Sequence, residues 1–210
     1  MLRRAAEQAQ TPEEAVEAAF AVPSGPTSIS PVQVRSEVSE LLLLVRAESP
    51  QRVLEIGTAN GGTLYLLAWA SDGNAHVVSL DVRGYDPLRV RMYAGFGRGT
   101  QRLDVLRADS QLETTRATVE RLFGNQPLDV LFIDGDHSYD GVRSDFERYA
   151  PLVRPGGLIA LHDIVEGPPG TSGDVPRFWR EVRASLREPR ELVESWEQGG
   201  YGIGVGRKST

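Results

Sequence analysis

The sequence predicts an α/β fold in which a mostly parallel β-sheet carries helices on both faces. Five short apolar runs have the length and composition of buried strands, and each but the last is followed by a plausible helix. This alternation is typical of a parallel sheet with crossover helices. With 210 residues, 40% of them hydrophobic, the chain can bury such a core as one domain. The predicted strands are 52–57, 76–81, 103–109, 129–134 and 157–163.

Two helices are predicted before the first strand. At the first, Thr11 is a typical N-cap, Pro12 suits the first helical position and Glu14 suits the capping-box position. The second is predicted over 32–47, where apolar residues form one face before Pro50 marks a stop. The first helix has an apolar face without an obvious partner in the sheet, and for this reason we expect a homo-oligomer.

The segment 191–207, ELVESWEQGGYGIGVGR, predicts two strands that form an antiparallel hairpin at one edge of the sheet. This brings the predicted sheet to about seven strands. We divide the chain into an N-terminal helical segment, 1–48, and an α/β core, 49–210. The predicted hairpin turn consists of Gln198, Gly199 and Gly200.

Charge and composition argue against several classes of protein. A net charge of −6 and a pI near 5.2 are unusual for nucleic-acid binders, which neutralise phosphates with basic residues. Without cysteine, neither a disulfide framework nor a thiolate metal site can form. The apolar run at 41–45 is too short to span a membrane, and 1–10 lacks the apolar centre of a signal peptide. We therefore expect a cytoplasmic protein without nucleic-acid or membrane partners.

Polar residues stand where the predicted strands end. Because the carboxyl ends of parallel strands form one ligand-binding edge, we expect their side chains to lie close together. Taken singly, Asp81 or Asp109 could instead cap the following turn or helix. The strand-end residues are Glu55, Asp81, Asp109, Asp134, His162 and Asp163.

A glycine-rich segment, EIGTANGGT at 55–63, follows the first predicted strand and precedes a predicted helix. Its glycines allow the backbone to turn tightly and to approach a ligand at the helix N-terminus. The spacing differs from G-x-G-x-x-G because Ala59 stands at the second glycine position, which argues against a dinucleotide site.

These motifs together resemble the class I S-adenosylmethionine-dependent methyltransferases, within them a small-molecule O-methyltransferase branch. The segment 53–63 resembles the family's first motif, SLDVRG at 79–84 its ribose-binding strand end, and RADS at 107–110 its adenine-contacting turn. The most specific match, FIDGDHSYDGVRSDFERYAPLVRPGGLIALHD at 132–163, is similar to the macrocin O-methyltransferase and cephalosporin hydroxylase-like group. It is more distantly similar to catechol O-methyltransferase. The resemblance covers roughly 27–206 and implies a Rossmann-like core preceded by a segment that folds over the cofactor.

The cofactor that the resemblance implies is S-adenosylmethionine. A carboxylate at the end of a second strand accepts two hydrogen bonds from a ribose diol, which is the role expected of Asp81. Glu55 and the glycine-rich backbone are expected to hold the methionine portion, although Glu55 could instead be a buried acid bonded to amides of its own loop. The expected cofactor-binding residues are Glu55, Gly57, Thr58, Gly61, Asp81, Asp109 and Ser110.

Three of the strand-end residues, Asp134, His162 and Asp163, could share one divalent cation. In the metal-dependent relatives, acids at these positions bind magnesium (Mg2+), which would lower the pKa of the hydroxyl to be methylated. This sequence departs from that pattern at His162, where the relatives carry an acid, and at Ile164, where the catechol enzyme carries an asparagine.

The expected catalytic residues are Asp134 and His137. His137 follows the strand-end acid and titrates near neutral pH, so it could act as general base, or equally brace its loop by hydrogen bonds. The expected reaction is methylation of a small-molecule hydroxyl, such as that of a sugar or polyphenol-like natural product. The acceptor pocket is expected to be built from 20–34 and 164–179.

Two other functions stay open on the sequence. His137, His162 and an aspartate could form the two-histidine, one-carboxylate iron site of an oxygenase. The chain could also bind S-adenosylmethionine without catalysing a reaction.

Overall fold

The computed structural model describes residues 8–22, 28–85 and 87–210, and its elements alternate as the sequence predicts. The helices are α1 (Pro12–Phe20), α2 (Arg35–Glu48), α3 (Gly62–Ala70), α4 (Pro87–Ala94), α5 (Glu113–Leu122), α6 (Tyr139–Tyr149) and α7 (Val175–Val182). The strands are β1 (Arg52–Ile56), β2 (His76–Asp81), β3 (Arg102–Arg107), β4 (Leu128–Ile133), β5 (Val153–His162), β6 (Arg187–Leu192) and β7 (Ile203–Arg207).

The described strands form one sheet in the order β3-β2-β1-β4-β5-β7-β6. Neighbours among β1 to β5 pair in parallel, whereas β7 runs antiparallel to both β5 and β6. From β1, the strands β2 and β3 are added toward one edge of the sheet, whereas β4 and β5 are added toward the other. At such a switch point, between β1 and β4, a crevice opens at the carboxyl ends of the strands. This arrangement confirms the predicted α/β fold and the antiparallel strands at one edge.

Two apolar clusters cover the two faces of the sheet. On one face, α1 to α4 pack through residues such as Ala15, Leu41 and Leu67 against Val53 and Phe132. On the other face, α5, α6 and α7 pack through residues of the second cluster, among them Val119, Val142 and Trp179. Burial of both sheet faces explains why the central strands read as continuous apolar runs.

The start of α1 follows the predicted capping pattern. The Thr11 hydroxyl accepts a hydrogen bond from the Glu14 amide at 3.3 Å, and Pro12 occupies the first turn. The Glu14 carboxylate in turn accepts a hydrogen bond from the amide of Gln10 at 2.6 Å. The second helix begins three residues later than predicted, at Arg35, and ends where Ser49 adopts a left-handed conformation before Pro50.

The apolar face of α1 is buried within the chain, which corrects one expectation. Ala15, Val16 and Ala19 are all buried, and α1 packs on α2 and α3. The reason given for a homo-oligomer is therefore removed. The helical segment at 1–48 is described only in part, because 1–7 and 23–27 lie outside the described residues.

The predicted three-residue turn at Gln198, Gly199 and Gly200 is wrong. β6 and β7 do form an antiparallel pair, but residues 193–202 connect them as a long loop. The sequence pattern predicts that 191–207 pairs with itself as two strands. Instead, several hydrogen-bond donors of the 193–202 loop bond to the buried carboxylate of Glu37 on α2. No described helix has the length and apolarity that crossing a membrane requires.

Candidate active site

Two adjoining cavities open at the carboxyl ends of the parallel strands. The first, called here the Asp81 cavity, is about 490 Å³ and is lined by Gly57, Asp81, Asp109, Ser110 and Asp134 among others. The second, the His137 cavity, is about 470 Å³ and is lined by Ala59, His137, His162, Asp163 and Tyr201 among others. Both cavities are lined by Arg83, Asp134 and Gly135. The topology thus brings the strand-end acids together as predicted.

Gly57 allows the end of β1 to approach the end of β4. Its φ is +100°, and a side chain added there would overlap the carbonyl oxygen of Asp134. Its amide donates to the Leu80 carbonyl at 2.8 Å, which ties the turn to β2. Only glycine combines this conformation with this close approach.

Asp81 lies at the end of β2 with its carboxylate held by the neighbouring loops. It accepts hydrogen bonds from the Ala59 amide at 2.9 Å, the Arg83 amide at 2.7 Å and the Tyr85 hydroxyl at 2.8 Å. Burial alone would raise the pKa of Asp81, but these hydrogen bonds hold it below its usual value. The carboxylate is therefore charged at neutral pH and fixed on the wall of its cavity.

The turn after β3 supplies the other end of the Asp81 cavity. Asp109 accepts a hydrogen bond from the Gln111 amide at 2.9 Å, which orders the turn. The Ser110 carbonyl accepts a hydrogen bond from the Tyr149 hydroxyl of α6 at 2.8 Å. Asp109 and Ser110 thus line the cavity on a turn that is tied to the opposite helix layer.

Three residues predicted to bind the cofactor lie behind the cavity walls. Glu55 is fully buried in β1 and bonds to the Ser79 hydroxyl of β2, not to amides of its own loop. Thr58 is buried and bonds to the same hydroxyl at 2.6 Å. Gly61, with φ +82°, begins α3 at a point where a side chain would overlap the ring of Tyr93. These residues shape the turn rather than line either cavity.

Burial dominates the chemistry of Glu55. It raises the pKa of Glu55 to about 8, the Ser79 hydroxyl opposes this, and the charges of Asp134 and Asp81 add to it. Its Oε1 atom has no hydrogen-bond partner among the described residues. Glu55 therefore keeps its proton to a higher pH than an ordinary carboxyl group does.

Asp134, His162 and Asp163 come together as predicted and offer ligand atoms within 4.8 Å of one another. The Nδ1 atom of His162 lies 3.2 Å from Oδ1 of Asp134 and 3.1 Å from Oδ2 of Asp163. The side chain of His162 is 3% exposed, compared with 14% for Asp134 and 9% for Asp163. Two carboxylate oxygens and an imidazole nitrogen at these separations fit a divalent cation.

His137 joins this cluster from the open side. Its Nε2 atom lies 3.2 Å from Oδ2 of Asp163 and 3.6 Å from Oδ1 of Asp134, while its Nδ1 atom lies 2.7 Å from the Thr171 carbonyl. The carbonyl of His137 also accepts a hydrogen bond from the Asp174 amide at 2.8 Å. His137 therefore braces the 164–174 loop and faces the cluster at once, so the two alternatives for it are not exclusive.

The charges of the cluster reinforce one another. Burial would raise the pKa of Asp134, but the two imidazoles lower it to about 2. The contact of its ring with the Asp134 carboxylate is the main cause that raises the pKa of His137. Burial opposes the charge on His162, yet the two carboxylates raise its pKa too. Without a cation, the cluster is held by protons on its imidazoles.

Residues that the sequence did not single out complete the site. Gln33 donates to Oδ2 of Asp134 at 3.0 Å and accepts from the Thr63 hydroxyl at 2.9 Å. The Tyr201 amide donates to Oδ1 of Asp163 at 3.1 Å. Glu37 of α2 holds the loop that carries Tyr201, since it accepts a hydrogen bond from the Gly202 amide. The sequence could have indicated Glu37, because it is an acid on the apolar face of its helix, one turn before Leu41. Gln33 has no comparable feature in the sequence.

The fold and the site define a Rossmann-like protein with an acidic cleft at its strand ends, as the class I methyltransferases have. The sequence matches the family described as methyltransferase domain over residues 54–164. The chain belongs to this methyltransferase family. The predicted family resemblance is thereby confirmed, and the matched range contains the strand-end acids from Glu55 to Asp163.

Individual relatives agree with this family. A curated, uncharacterised protein of Sinorhizobium fredii is 26% identical over 156 residues, which is 70% of this chain and 17% of the relative. Mycinamicin VI 2''-O-methyltransferase of Micromonospora griseorubida is 31% identical over 124 residues, or 54% of this chain and 27% of the relative. The chain therefore spans well under two thirds of the length of these two proteins.

Solved structures share the fold. An O-methyltransferase from Bacillus cereus in complex with S-adenosylhomocysteine matches 99% of this chain and 100% of its own, with a TM-score of 0.63 and 20% identity. At this identity the similarity establishes the common architecture.

Proposed function

We propose that this protein is an S-adenosylmethionine-dependent O-methyltransferase that acts on a hydroxyl of a small molecule, assisted by a divalent cation. The observation that carries the proposal is Asp134, which lines both the Asp81 cavity and the His137 cavity. A cofactor in the first cavity and an acceptor in the second would meet at this residue. Transfer between two bound molecules requires such an alignment.

The Asp81 cavity has the groups that the cofactor requires. The Asp81 carboxylate suits a ribose diol, and the turn at Asp109 and Ser110, which lines the same cavity, would face the adenine. Gly57 also lines this cavity, and the methionine portion would lie against its backbone. When bound, S-adenosylmethionine supplies a methyl group on a positively charged sulfur.

The His137 cavity has the groups that an acceptor hydroxyl requires. Asp134 and His137 line it side by side, and we propose that the hydroxyl proton is received within their cluster. Asp134 and His137 would hold the acceptor oxygen and its proton, and the cofactor in the adjoining cavity would supply the methyl group. Val32 and Tyr201 add apolar surface for the body of an acceptor, such as a sugar or polyphenol-like molecule.

Asp134, His162 and Asp163 are the residues that would hold the cation. The family resemblance implies Mg2+, and a bound cation would lower the pKa of the acceptor hydroxyl. The relatives support the reaction class in their own names, since one is a 2''-O-methyltransferase and another an O-methyltransferase solved with S-adenosylhomocysteine. The division into a lid segment at 1–48 and a core at 49–210 remains part of this proposal.

The first test is calorimetric titration of chelator-stripped protein with S-adenosylhomocysteine. We expect one binding site per chain, and Asp81→Asn should weaken binding at least tenfold, because hydrogen bonds to a charged acceptor contribute roughly 1.5–3 kcal/mol each. Asp72→Asn is the matched control, since Asp72 lies in the turn before β2 at the opposite end of the sheet. Folded protein that does not bind S-adenosylhomocysteine would contradict the proposal.

One observation favours the oxygenase that the sequence left open, namely that His137, His162 and two aspartates do cluster. Against it stands the adjoining Asp81 cavity, which an iron oxygenase does not need. Oxygen consumption after addition of ferrous iron, without S-adenosylmethionine, separates the two functions. We expect none, whereas turnover of oxygen coupled to hydroxylation would favour the oxygenase.

A further inference from the structure

We infer that His137 is a fourth ligand of the cation site, and that the site therefore selects a transition-metal ion such as Mn2+, Co2+ or Zn2+ over Mg2+. The inference deepens the proposed function and rests on it only for the purpose of the ion. It assigns receipt of the hydroxyl proton to Asp134 rather than His137, because a ligating Nε2 atom has no free lone pair. It concerns the ligands that this chain offers, namely Asp134, His137, His162 and Asp163.

The donor atoms alternate around the centre of the cluster. Each carboxylate oxygen lies between two imidazole nitrogens, at 3.2 and 3.6 Å for Oδ1 of Asp134 and at 3.1 and 3.2 Å for Oδ2 of Asp163. Neighbouring ligands of a zinc-sized ion with bonds near 2.1 Å are separated by roughly 3.0–3.4 Å. Three of the four separations fall in this range, and the fourth, 3.6 Å between Nε2 of His137 and Oδ1 of Asp134, exceeds it. Asp134, His162 and Asp163 already offer atoms within 4.8 Å of one another, so His137 is the side chain that must move inward to complete the site.

The tautomer of His137 also supports its role as a metal ligand. The Thr171 carbonyl can only accept, so the Nδ1 atom of His137 carries a hydrogen. In the neutral ring the Nε2 atom then presents its lone pair to the oxygens of Asp134 and Asp163. That contact is repulsive unless either a proton on Nε2 or a metal cation lies between the groups. A ligating histidine typically donates its other ring hydrogen to a carbonyl in this manner.

The donor set decides the preferred ion. Mg2+ prefers oxygen ligands in a nearly ideal octahedron and retains several waters, whereas imidazole nitrogen suits Mn2+, Co2+ and Zn2+ better. Two imidazoles among four protein ligands therefore shift the preference away from Mg2+. His162, which is nearly fully buried, is fixed in position by β5 and cannot be replaced by water.

The competing explanation is an ion-pair cluster in which the imidazoles carry protons and no metal binds. Metal titrations of the chelator-stripped full chain distinguish the two, with Co2+ used as the spectroscopic probe. We expect one Co2+ per chain with visible absorption typical of nitrogen and oxygen ligands. We also expect Co2+, Mn2+ and Zn2+ to bind at least tenfold more tightly than Mg2+.

The chain offers a closely matched pair of variants. In His137→Asn, the side-chain amide can still donate to the Thr171 carbonyl, but the Nε2 ligand is lost. This variant should weaken Co2+ binding more than the roughly 10- to 100-fold that loss of an outer hydrogen bond costs, and should alter the absorption. His76→Asn is the control, because this third histidine pairs with Asp104 on β3, away from the site.

Equal affinity for Mg2+ and Co2+ would overturn the inference, as would no metal binding or unchanged Co2+ affinity in His137→Asn. Asp163→Asn should also weaken Co2+ binding, which checks that the metal occupies this cluster. Binding of S-adenosylhomocysteine is measured separately and should survive in His137→Asn. If the protein binds Mg2+ and Co2+ equally well and still binds S-adenosylhomocysteine, the inference is refuted and the proposed function stands.

Discussion

Glu55 gives the fold a pH dependence of its own. The pKa of this acid is raised from 4.5 to about 8, so the folded protein binds more protons than the unfolded chain between these values. The Glu55 contribution to the free energy of unfolding therefore falls as pH rises from about 4.5 to about 8.

We predict that Glu55→Gln removes this slope. At pH 9 the variant should be more stable than the parent protein by at least about 1 kcal/mol, or roughly 2–4 °C in Tm, and the difference should vanish below about pH 4. Thermal unfolding of metal-free protein across this range measures the effect. Glu40→Gln, at an exposed position on α2, serves as control. Parallel pH profiles for Glu55→Gln and the parent protein would refute the assignment of this slope to Glu55.

At the residue scale, sequence reasoning identified the acids but not their neighbours. Asp81, Asp134 and Asp163 were predictable because each follows an apolar run. Gln33 was not, because its partner Asp134 is distant in sequence and only the folded chain brings the two together. Tyr85 was not, because it is a loop residue four positions after Asp81 that no periodic pattern marks. Both complete the hydrogen bonding of an acid that was itself predicted.

At the scale of elements, α2 and the 193–202 loop are joined through Glu37. This buried carboxylate accepts hydrogen bonds from the Glu194 amide at 3.1 Å, the Gln198 side chain at 2.7 Å and the Gly202 amide at 2.9 Å. The loop also carries Tyr201 to Asp163. One side chain of the N-terminal segment thus holds the loop that carries Tyr201 to the wall of the His137 cavity.

We predict that Glu37→Gln destabilises the protein by roughly 1.5–3 kcal/mol, because an amide group cannot accept all of these hydrogen bonds. Denaturant unfolding measures the loss, and Glu40→Gln on the same helix is the control. The variant should also raise the KM for an acceptor more than it changes binding of S-adenosylhomocysteine. A change in unfolding free energy below about 0.5 kcal/mol, as at ordinary surface positions, would contradict this role.

Element boundaries show what a sequence can predict and where local patterns fail. The parallel strands were predictable because burial on both faces makes them continuously apolar. The hairpin turn was mispredicted because Gly199 and Gly200 are typical turn residues. Here the deciding partner, Glu37, is distant in sequence.

At the scale of the whole molecule, burial predicts a gradient of local stability across the sheet. β4 is buried along its whole length, whereas β3 and β6 are edge strands with exposed positions. We predict that amide hydrogen exchange is slowest in β1 and β4 and fastest, among the strands, in β3 and β6. Mass spectrometry of exchanged peptides checks this order. Uniform protection of all seven strands would indicate a single cooperative unit instead.

The sequence predicts more of the fold than of the site. The alternation of strands and helices predicts the architecture, and the architecture predicts where the acids meet. The packing of α1 was not predictable, because its apolar face packs on the helices α2 and α3 rather than on the sheet. No local pattern in the sequence indicates that choice of partner. The identity of the acceptor depends on loop shapes that no periodic pattern encodes.

The position of β7 has a consequence for biosynthesis. This strand follows β6 in the chain but lies between β5 and β6 in the sheet. Until its residues have been synthesised, the hydrogen-bonding edge of β5 that ends at His162 has no partner strand. The nascent chain must therefore hold an apolar, aggregation-prone edge open until residues 203–207 leave the exit tunnel. Translation speed near this point would then influence the yield of folded protein.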